Sequence, residues 1–181
     1  MKRLLSEQQL REGVARLAHE VSACYEDRPL TIVGVLTGSV VLLADLIRRL
    51  DLPLRVGVLQ ASSYRGVRTD RDALVINADL LPDVSDREVL LVDDIYDTGH
   101  TLVEVIRRVG ALSPQSIRSL VLLRKQGRQE VELEPDFVGF DIPDEFAVGY
   151  GLDYNDAYRH LPYVAALEPE DLERSPFSSM S

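Results

Sequence analysis

Three aspartates and two threonines fall within one short run near the middle of the chain, Asp93-Asp94-Ile95-Tyr96-Asp97-Thr98-Gly99-His100-Thr101. Adjacent carboxylates such as Asp93 and Asp94 can accept hydrogen bonds from vicinal sugar hydroxyls, or hold a divalent cation through its water ligands. A lone pair of aspartates at the end of a strand is more often a solvated strand end. The residues that follow the pair decide between these interpretations.

The residues from Asp97 to Thr101 have the composition of a phosphate cradle. Gly99 lets the backbone approach a ligand closely, and Thr98 and Thr101 add hydroxyl groups beside the first N–H groups of a helix. The helix dipole favours an anion at the same place. The run has neither the Gly-Lys-Ser/Thr of a P-loop nor the Gly-x-Gly-x-x-Gly of a dinucleotide-binding turn. It therefore predicts a monophosphate site of another kind.

The elements on either side would hold this run in place. Residues 89–92 are a continuous apolar stretch, which is typical of a strand buried on both faces of a parallel sheet. Apolar residues recur at helical spacing from Leu102 to Val109, and Gly110 is a predicted C-cap. A strand, a polar loop and a helix N-terminus are the parts from which α/β proteins build phosphate sites.

Strands and helices are predicted to alternate along the whole chain. Helices are predicted at 6–26, with a capping box of Ser6 and Gln9, and at 40–50, with Ser39 as N-cap. Further strands are predicted at 30–36, 54–60, 73–78, 116–123, 137–142, 146–149 and 162–167. The alternation predicts an α/β fold with a mostly parallel twisted sheet and helices on both faces, in one domain over residues 1–168. Residues 169–181 are acidic and rich in serine, and we expect them to fray.

Composition restricts the partners. The 181 residues are 45% apolar and carry a formal net charge of -10, with scattered rather than clustered basic residues. This argues against a nucleic-acid-binding surface and against a basic membrane patch. No apolar run approaches the roughly 18 residues of a membrane span, and the N-terminus lacks a signal-peptide pattern. Together with a single cysteine, Cys24, these features predict a cytoplasmic protein.

Functional residues should gather where the strands end, because ligands of such sheets bind beyond the carboxyl ends of the strands. Thr37-Gly38, Asp93-Asp94 and Lys125 all follow predicted strands. Residues 61–72 have no apolar periodicity, and a polar segment this long in a compact domain is usually a functional or a disordered loop.

The strand, the Asp-Asp pair and the Asp-Thr-Gly-x-Thr run resemble the motif with which type I phosphoribosyltransferases bind 5-phosphoribosyl 1-pyrophosphate (PRPP). Residues 34–39, residues 62–64 and Lys125 follow the order of that family, and the resemblance covers roughly residues 6–167. Residues 137–155, Phe-Val-Gly-Phe-Asp-Ile-Pro-Asp-Glu-Phe-Ala-Val-Gly-Tyr-Gly-Leu-Asp-Tyr-Asn, resemble the hypoxanthine (hypoxanthine-guanine) branch in particular.

The resemblance implies how PRPP would bind. Asp93 and Asp94 would hold the ribose hydroxyls, partly through Mg2+, and Asp153 would contact Mg2+ and pyrophosphate beside the purine. The turn of Thr37 and Gly38 and the side chain of Arg159 would bind pyrophosphate. Thr37 stands where the family often has lysine, so the turn would act through its backbone. The other PRPP contacts would come from Tyr96, Asp97, Thr98, Gly99, His100 and Thr101.

The resemblance also implies how a purine would bind and react. Asp97 would face N7 as general base or proton partner, and Lys125 would donate to O6. Phe146 would stack on the ring, and the backbone of Ala147 would meet its edge. A lysine donor at O6 selects 6-oxopurines over adenine, which has no oxygen there.

The family resemblance therefore implies purine salvage, with transfer of the phosphoribosyl group to hypoxanthine, and also guanine, in the presence of Mg2+. A xanthine- or guanine-preferring transferase and a non-catalytic PRPP- or nucleotide-sensing regulator remain alternatives. The family further implies a small hood of the N-terminal region and the last strands, a mobile loop carrying Ser63 and Tyr64, and a homodimer or homotetramer.

Overall fold

A six-stranded sheet forms the centre of the protein. The structure, a computed structural model, describes residues 1–63 and 74–172. In chain order its elements are β1 (Lys2–Leu5), α1 (Glu7–Tyr25), β2 (Leu30–Leu36), α2 (Val40–Ile47), β3 (Leu54–Ser63), β4 (Leu74–Asn77), β5 (Glu88–Tyr96), α3 (His100–Gly110), β6 (Ser116–Lys125), β7 (Phe137–Ile142), β8 (Ala147–Val148), β9 (Val164–Ala166) and α4 (Pro169–Leu172).

The central sheet is mostly parallel, as the sequence predicts. Its strand order is β4-β3-β2-β5-β6-β7, and only the pairing of β3 with the edge strand β4 is antiparallel among these six strands. The middle strand, β5, is the apolar stretch that leads into the aspartate pair, and its first six residues are all buried. Because β2, β5 and β6 run in the same direction, their carboxyl ends meet at one edge.

Alternate residues of the strands supply two separate cores, because successive side chains of a strand point to opposite faces. On one face Leu90 and Val92 pack with apolar residues of α1 and α2. On the other face Val89 and Leu91 pack with apolar residues of α3. The prediction of helices on both faces is therefore confirmed. No helix among residues 1–63 and 74–172 is long and apolar enough to cross a membrane.

A second, three-stranded sheet in the order β1-β9-β8 forms the hood. It joins the N-terminus to the last strands, as expected. Strand β1 itself was not predicted, because Lys2-Arg3-Leu4-Leu5 has no alternation of polar and apolar residues. It becomes a strand through antiparallel pairing with β9, which lies far away in the sequence. The hydroxyl of Tyr150 donates a 2.6 Å hydrogen bond to Asp45 of α2 and so ties the end of the hood to the core.

Several predicted boundaries are corrected by the structure. Helix α2 ends at Ile47, and the hydroxyl of Ser39 donates to the carbonyl of Val35 at 2.6 Å instead of capping the helix. The first three residues of the predicted loop 61–72 belong instead to β3, which continues to Ser63 through its pairing with β4. The remaining residues of that predicted loop lie outside the described residues.

One prediction near the N-terminus is confirmed, and one at the C-terminal end is corrected. The capping box of Ser6 and Gln9 is confirmed. The first four residues of the expected tail instead form α4, where the N-terminal ammonium group of Met1 pairs with Glu168 and Asp171. Residues 173–181 lie outside the described residues.

The central strand should carry much of the stability. Leu90 of β5 is completely buried in the core that the sheet forms with α1 and α2. Leu90→Ala should therefore lower the free energy of unfolding by about 2–5 kcal/mol. Leu80→Ala is the matched control, because Leu80 is 72% exposed; its effect should stay within about 0.5 kcal/mol. Urea unfolding followed by circular dichroism measures both. Equal losses in the two variants would contradict this assignment of the core.

Candidate active site

A cavity of about 490 Å³ opens at the carboxyl edge of the sheet. Its walls come from the turn after β2, the end of β5, the loop into α3 and the segment that precedes β9. The predicted residues that line it are Thr37, Gly38, Asp93, Asp94, Tyr96, Asp97, Thr98, Gly99, Thr101, Asp153 and Arg159. Residues up to 122 positions apart in the sequence (Thr37 to Arg159) thus meet in one place.

A second cavity of about 220 Å³ adjoins the first. It is lined by three further predicted residues, Lys125, Phe146 and Ala147, and by Leu152. Both cavities share four lining residues, Asp94, Ile95, Asp97 and Asp153. A ligand with two chemically different parts can therefore occupy both cavities, with its junction beside Asp94 and Asp97.

Among the predicted residues whose side chains the structure describes, His100 lines neither cavity. The imidazole of His100 is exposed and lies 2.9 Å from a carboxylate oxygen of Glu130. Only the backbone position of Ser63, the last residue of β3, is described. Tyr64 lies outside the described residues.

The paired carboxylates at the end of β5 lie in an unfavourable environment for two negative charges. Asp93 is only 8% exposed. Burial raises the pKa of Asp93 well above its ordinary value, and the adjacent charge of Asp94 raises it further. Burial also raises the pKa of Asp94, although hydrogen bonding and the charge of Arg159 oppose this. A cation or hydroxyl donors in the cavity would stabilise the negative charges of both carboxylates.

Gly38 brings the turn after β2 against this pair. An added Cβ atom at Gly38 would lie 1.6 Å from Oδ2 of Asp94, so no larger residue fits without moving the carboxylate. On its other side the Gly38 carbonyl oxygen is 2.1 Å from where a Cβ atom of Gly151 would stand. The turn is thus held between the aspartate pair and the segment around Gly151.

The same segment positions Arg159. Its guanidinium donates to the carbonyl of Gly151 at 2.8 Å and pairs with Asp153 at 2.9 Å, and the N–H of Gly151 donates to the carbonyl of Arg159 at 3.0 Å. Asp156, which was not predicted, also lines the first cavity and lies 3.6 Å from the Arg159 guanidinium. The arginine is therefore oriented before any ligand binds.

The loop between β5 and α3 ends at Gly99, the N-cap of α3, with a positive φ of 91°. An added Cβ atom there would lie 2.3 Å from Val131 and 2.8 Å from the hydroxyl of Tyr96. The loop is packed from outside and exposes its inner side to the cavity. Its N–H groups and the N-terminus of α3 are the groups for which the sequence predicts an anion ligand.

The support on the outside comes from residues 126–134, a segment to which the sequence analysis assigns no helix, strand or functional role. The N–H of Glu130 donates to the carbonyl of Thr98 at 3.0 Å, and the hydroxyl of Tyr96 donates to the carbonyl of Leu133. The amide of Gln129 donates to the carbonyl of Asp97 at 3.4 Å and to that of Lys125. No periodicity marks this segment, because irregular backbone carries these contacts.

The second cavity combines a cation, a carboxylate and an aromatic ring. Nζ of Lys125 lies 3.1 Å from Oδ2 of Asp97, and Lys125 is only 12% exposed. Phe146 is 47% exposed, and its edge-to-face contact with Tyr154, at a centroid distance of 5.4 Å, fixes the ring. An exposed aromatic face beside a hydrogen-bond donor is suited to a flat polar heterocycle.

Gly99 offers a test of the loop geometry by itself. Gly99→Ala places a side chain at positive φ and against Val131, so the variant should lose more than about 1 kcal/mol of unfolding free energy. Gly110→Ala is the control, because its Cβ atom would meet nothing closer than 3.8 Å and alanine favours a helix. Chemical denaturation of both variants measures the difference. Gly99→Ala as stable as Gly110→Ala would show that the loop is not held as described.

Comparisons with known proteins give the family of this chain. Residues 1–155 match the family model for the phosphoribosyl transferase domain. Hypoxanthine phosphoribosyltransferase from Salmonella typhimurium is 42% identical over 164 residues, which are 89% of this chain and 92% of the relative. Hypoxanthine-guanine phosphoribosyltransferase from Staphylococcus epidermidis is 38% identical, over 92% of this chain and 93% of the relative.

Solved structures give the same result. A hypoxanthine phosphoribosyltransferase from Staphylococcus aureus superposes with a TM-score of 0.87 at 36% identity, covering 94% of this chain and 92% of that one. A hypoxanthine-guanine phosphoribosyltransferase from Bacillus anthracis gives 0.85 at 34% identity, with 93% and 98% covered. The chain therefore belongs to the phosphoribosyltransferase family, among the hypoxanthine and hypoxanthine-guanine phosphoribosyltransferases.

Proposed function

We propose that the chain transfers the 5-phosphoribosyl group of PRPP to N9 of hypoxanthine, and also of guanine, giving IMP or GMP and pyrophosphate. One observation carries this proposal: the phosphate-type cavity and the heterocycle-type cavity adjoin and share Asp94 and Asp97. The reacting carbon, C1′ of the ribose, would lie at that junction. The reaction is purine salvage, in keeping with the names of the relatives.

PRPP would occupy the first cavity. Its 5′-phosphate would accept hydrogen bonds from the loop of Thr98 to Thr101, and its ribose hydroxyls would donate to Asp93 and Asp94. The pyrophosphate would lie against the turn at Gly38 and the guanidinium of Arg159. The side chain of Thr37 carries no charge, so Arg159 would supply the positive charge that binds pyrophosphate at that end of the cavity.

The purine would occupy the second cavity. Phe146 would cover one face of the ring, Lys125 would donate to O6, and Asp97 would lie at N7. Adenine carries an amino donor in place of O6, so it would face the ammonium group of Lys125 without forming a hydrogen bond. Because an unmatched polar contact in a site is costly, adenine should be a very poor substrate.

In the reaction the bond between N9 and C1′ forms while the bond between C1′ and the pyrophosphate oxygen breaks. The electron pair of the breaking bond leaves with pyrophosphate, and the carboxylate of Asp97 accepts the proton that the purine loses from N7. The transition state has oxocarbenium character, as in glycoside chemistry, so water must be kept out. Gln60 and Ala61 of β3 line the first cavity, and a closing loop that carries Ser63 and Tyr64 would act from this end of the strand.

The carboxylates of the first cavity fit Mg2+. No group of three or more His, Cys, Asp or Glu side chains within residues 1–63 and 74–172 forms a metal site of its own. Mg2+ commonly uses one or two carboxylates, retained waters and substrate phosphates, so a complete protein cage is not required. Asp93, Asp94 and Asp153 would hold it, and the ion would neutralise charge on the pyrophosphate.

We extend the proposal to the protein's surroundings. A homodimer or homotetramer is expected, and light scattering after size exclusion would distinguish the two. We also expect cytoplasmic action, where Cys24, the single cysteine, would remain a thiol.

The direct test is a spectrophotometric assay with PRPP, Mg2+ and each of hypoxanthine, guanine, xanthine and adenine. Hypoxanthine and guanine should be converted, and adenine should react at least about 10⁴-fold less efficiently, because its amino group cannot accept from Lys125. Preference for xanthine would support the alternative transferase. Binding of PRPP without turnover of any 6-oxopurine would instead support a regulator and overturn the proposal.

Asp97→Asn tests the role of the aspartate at the junction. The amide cannot hold the N7 proton as a carboxylate does, so kcat should fall by about 10²–10⁴-fold with hypoxanthine. Asp141→Asn is the control: Asp141 also pairs with an arginine, Arg124, but lines neither cavity. Turnover of the Asp97 variant near the wild-type rate would show that Asp97 does not serve the base.

A further inference from the structure

Four charged side chains meet at the edge of the second cavity, and only two of them have a role in the proposed reaction. Asp97 lies between Nζ of Lys125, 3.1 Å from its Oδ2, and Nε of Arg128, 3.1 Å from its Oδ1. Asp144 lies 3.5 Å from the same two cations. The carboxylate at the reacting end of the site therefore has one cation on each of its oxygens.

We propose that Arg128 is a positioning residue that holds Asp97 through Oδ1, so that Oδ2 remains directed at the purine when Lys125 turns to O6. This inference rests on the proposed function, because it concerns the aspartate and the lysine that would bind the base. Arg128 itself lines neither cavity and would not touch the substrate.

The geometry gives the two carboxylate oxygens of Asp97 different partners. In the free protein Lys125 occupies Oδ2 of Asp97. A 6-oxopurine would compete for the same ammonium group, and the contact with Oδ2 would weaken just when that oxygen is needed at N7. The bond from Nε of Arg128 to Oδ1 does not compete with the purine. A guanidinium N–H has a fixed direction, unlike the rotating donors of an ammonium group, so it also sets the plane of the carboxylate.

The neighbours of Arg128 restrict its movement. Asp144 contacts Nε at 3.5 Å, and the adjacent residue, Gln129, bonds to the carbonyls of Asp97 and Lys125. Arg128 and Asp144 are nevertheless 43% and 51% exposed. Exposed ion pairs add little to stability. Removing Arg128 should thus affect the orientation of Asp97 far more than folding, which makes its role measurable.

Arg128→Gln tests the inference, with Arg107→Gln as matched control. Arg107 pairs with Glu104 on α3 and is 69% exposed. In Arg128→Gln, kcat/KM for hypoxanthine should fall about tenfold to a hundredfold, because small misplacements of a reacting group have effects of that size. The KM for PRPP and the melting temperature should stay near wild type. Arg128→Lys should recover part of the loss, and Arg107→Gln should behave as wild type.

A double-mutant cycle with Asp97→Asn separates positioning from a general structural effect. If Arg128 acts through Asp97, Arg128→Gln should lower kcat/KM for hypoxanthine by less than about twofold in the Asp97→Asn background, since the effects of coupled residues are not additive. Full multiplication of the two losses, or an equal rise in the KM for PRPP, would overturn the inference. Wild-type turnover in the same assays tests the proposed function independently, and its absence would overturn both.

Discussion

The ion pair between Lys125 and Asp97 joins the two halves of the site, and the arrangement of the sheet makes it possible. Strands β5 and β6 are parallel, with Tyr96 opposite Arg124 in the register. Asp97 directly follows β5, and Lys125 is the last residue of β6, so the two are at the same level beyond this pair. Nζ of Lys125 lies 3.1 Å from Oδ2 of Asp97. A shift of one residue would place one of the two side chains on the opposite face of the sheet.

Other parts of the fold keep this junction open and oriented. Residues 126–134 hold the loop between β5 and α3 from outside. The segment around Gly151 holds the turn at Gly38 and the side chain of Arg159. Between them, the buried Asp93 and the partly buried Asp94 have little compensation for their charge, and the pKa of each carboxyl is raised. Such local conflict is expected where a protein is shaped for a ligand rather than for stability. Substrate hydroxyls and a cation would relieve it.

Much of this could be predicted from local sequence. Continuous apolar runs predict the buried strands, and the loop between β5 and α3 directly follows one of these runs. The residues around Lys125 and Phe146 needed the family resemblance, since a single lysine or phenylalanine has no distinctive pattern. What local reasoning missed depends on contacts distant in sequence: β1 forms only against β9, and Arg128 acquires its position only through Asp97 and Asp144. Serine is favoured at N-caps, but the side chain of Ser39 is buried and its hydroxyl donates to the carbonyl of Val35 instead.

The central claim is that the ribose lies at Asp94 and Asp97, between a phosphate cavity and a purine cavity. A crystal structure of the chain with IMP bound tests it most directly. The phosphate should contact the loop of Thr98 to Thr101, and the purine should lie against Phe146 with O6 at Lys125 and N7 at Asp97. A purine bound at the turn of Gly38, or a Lys125 that contacts Asp97 but not O6, would contradict the account.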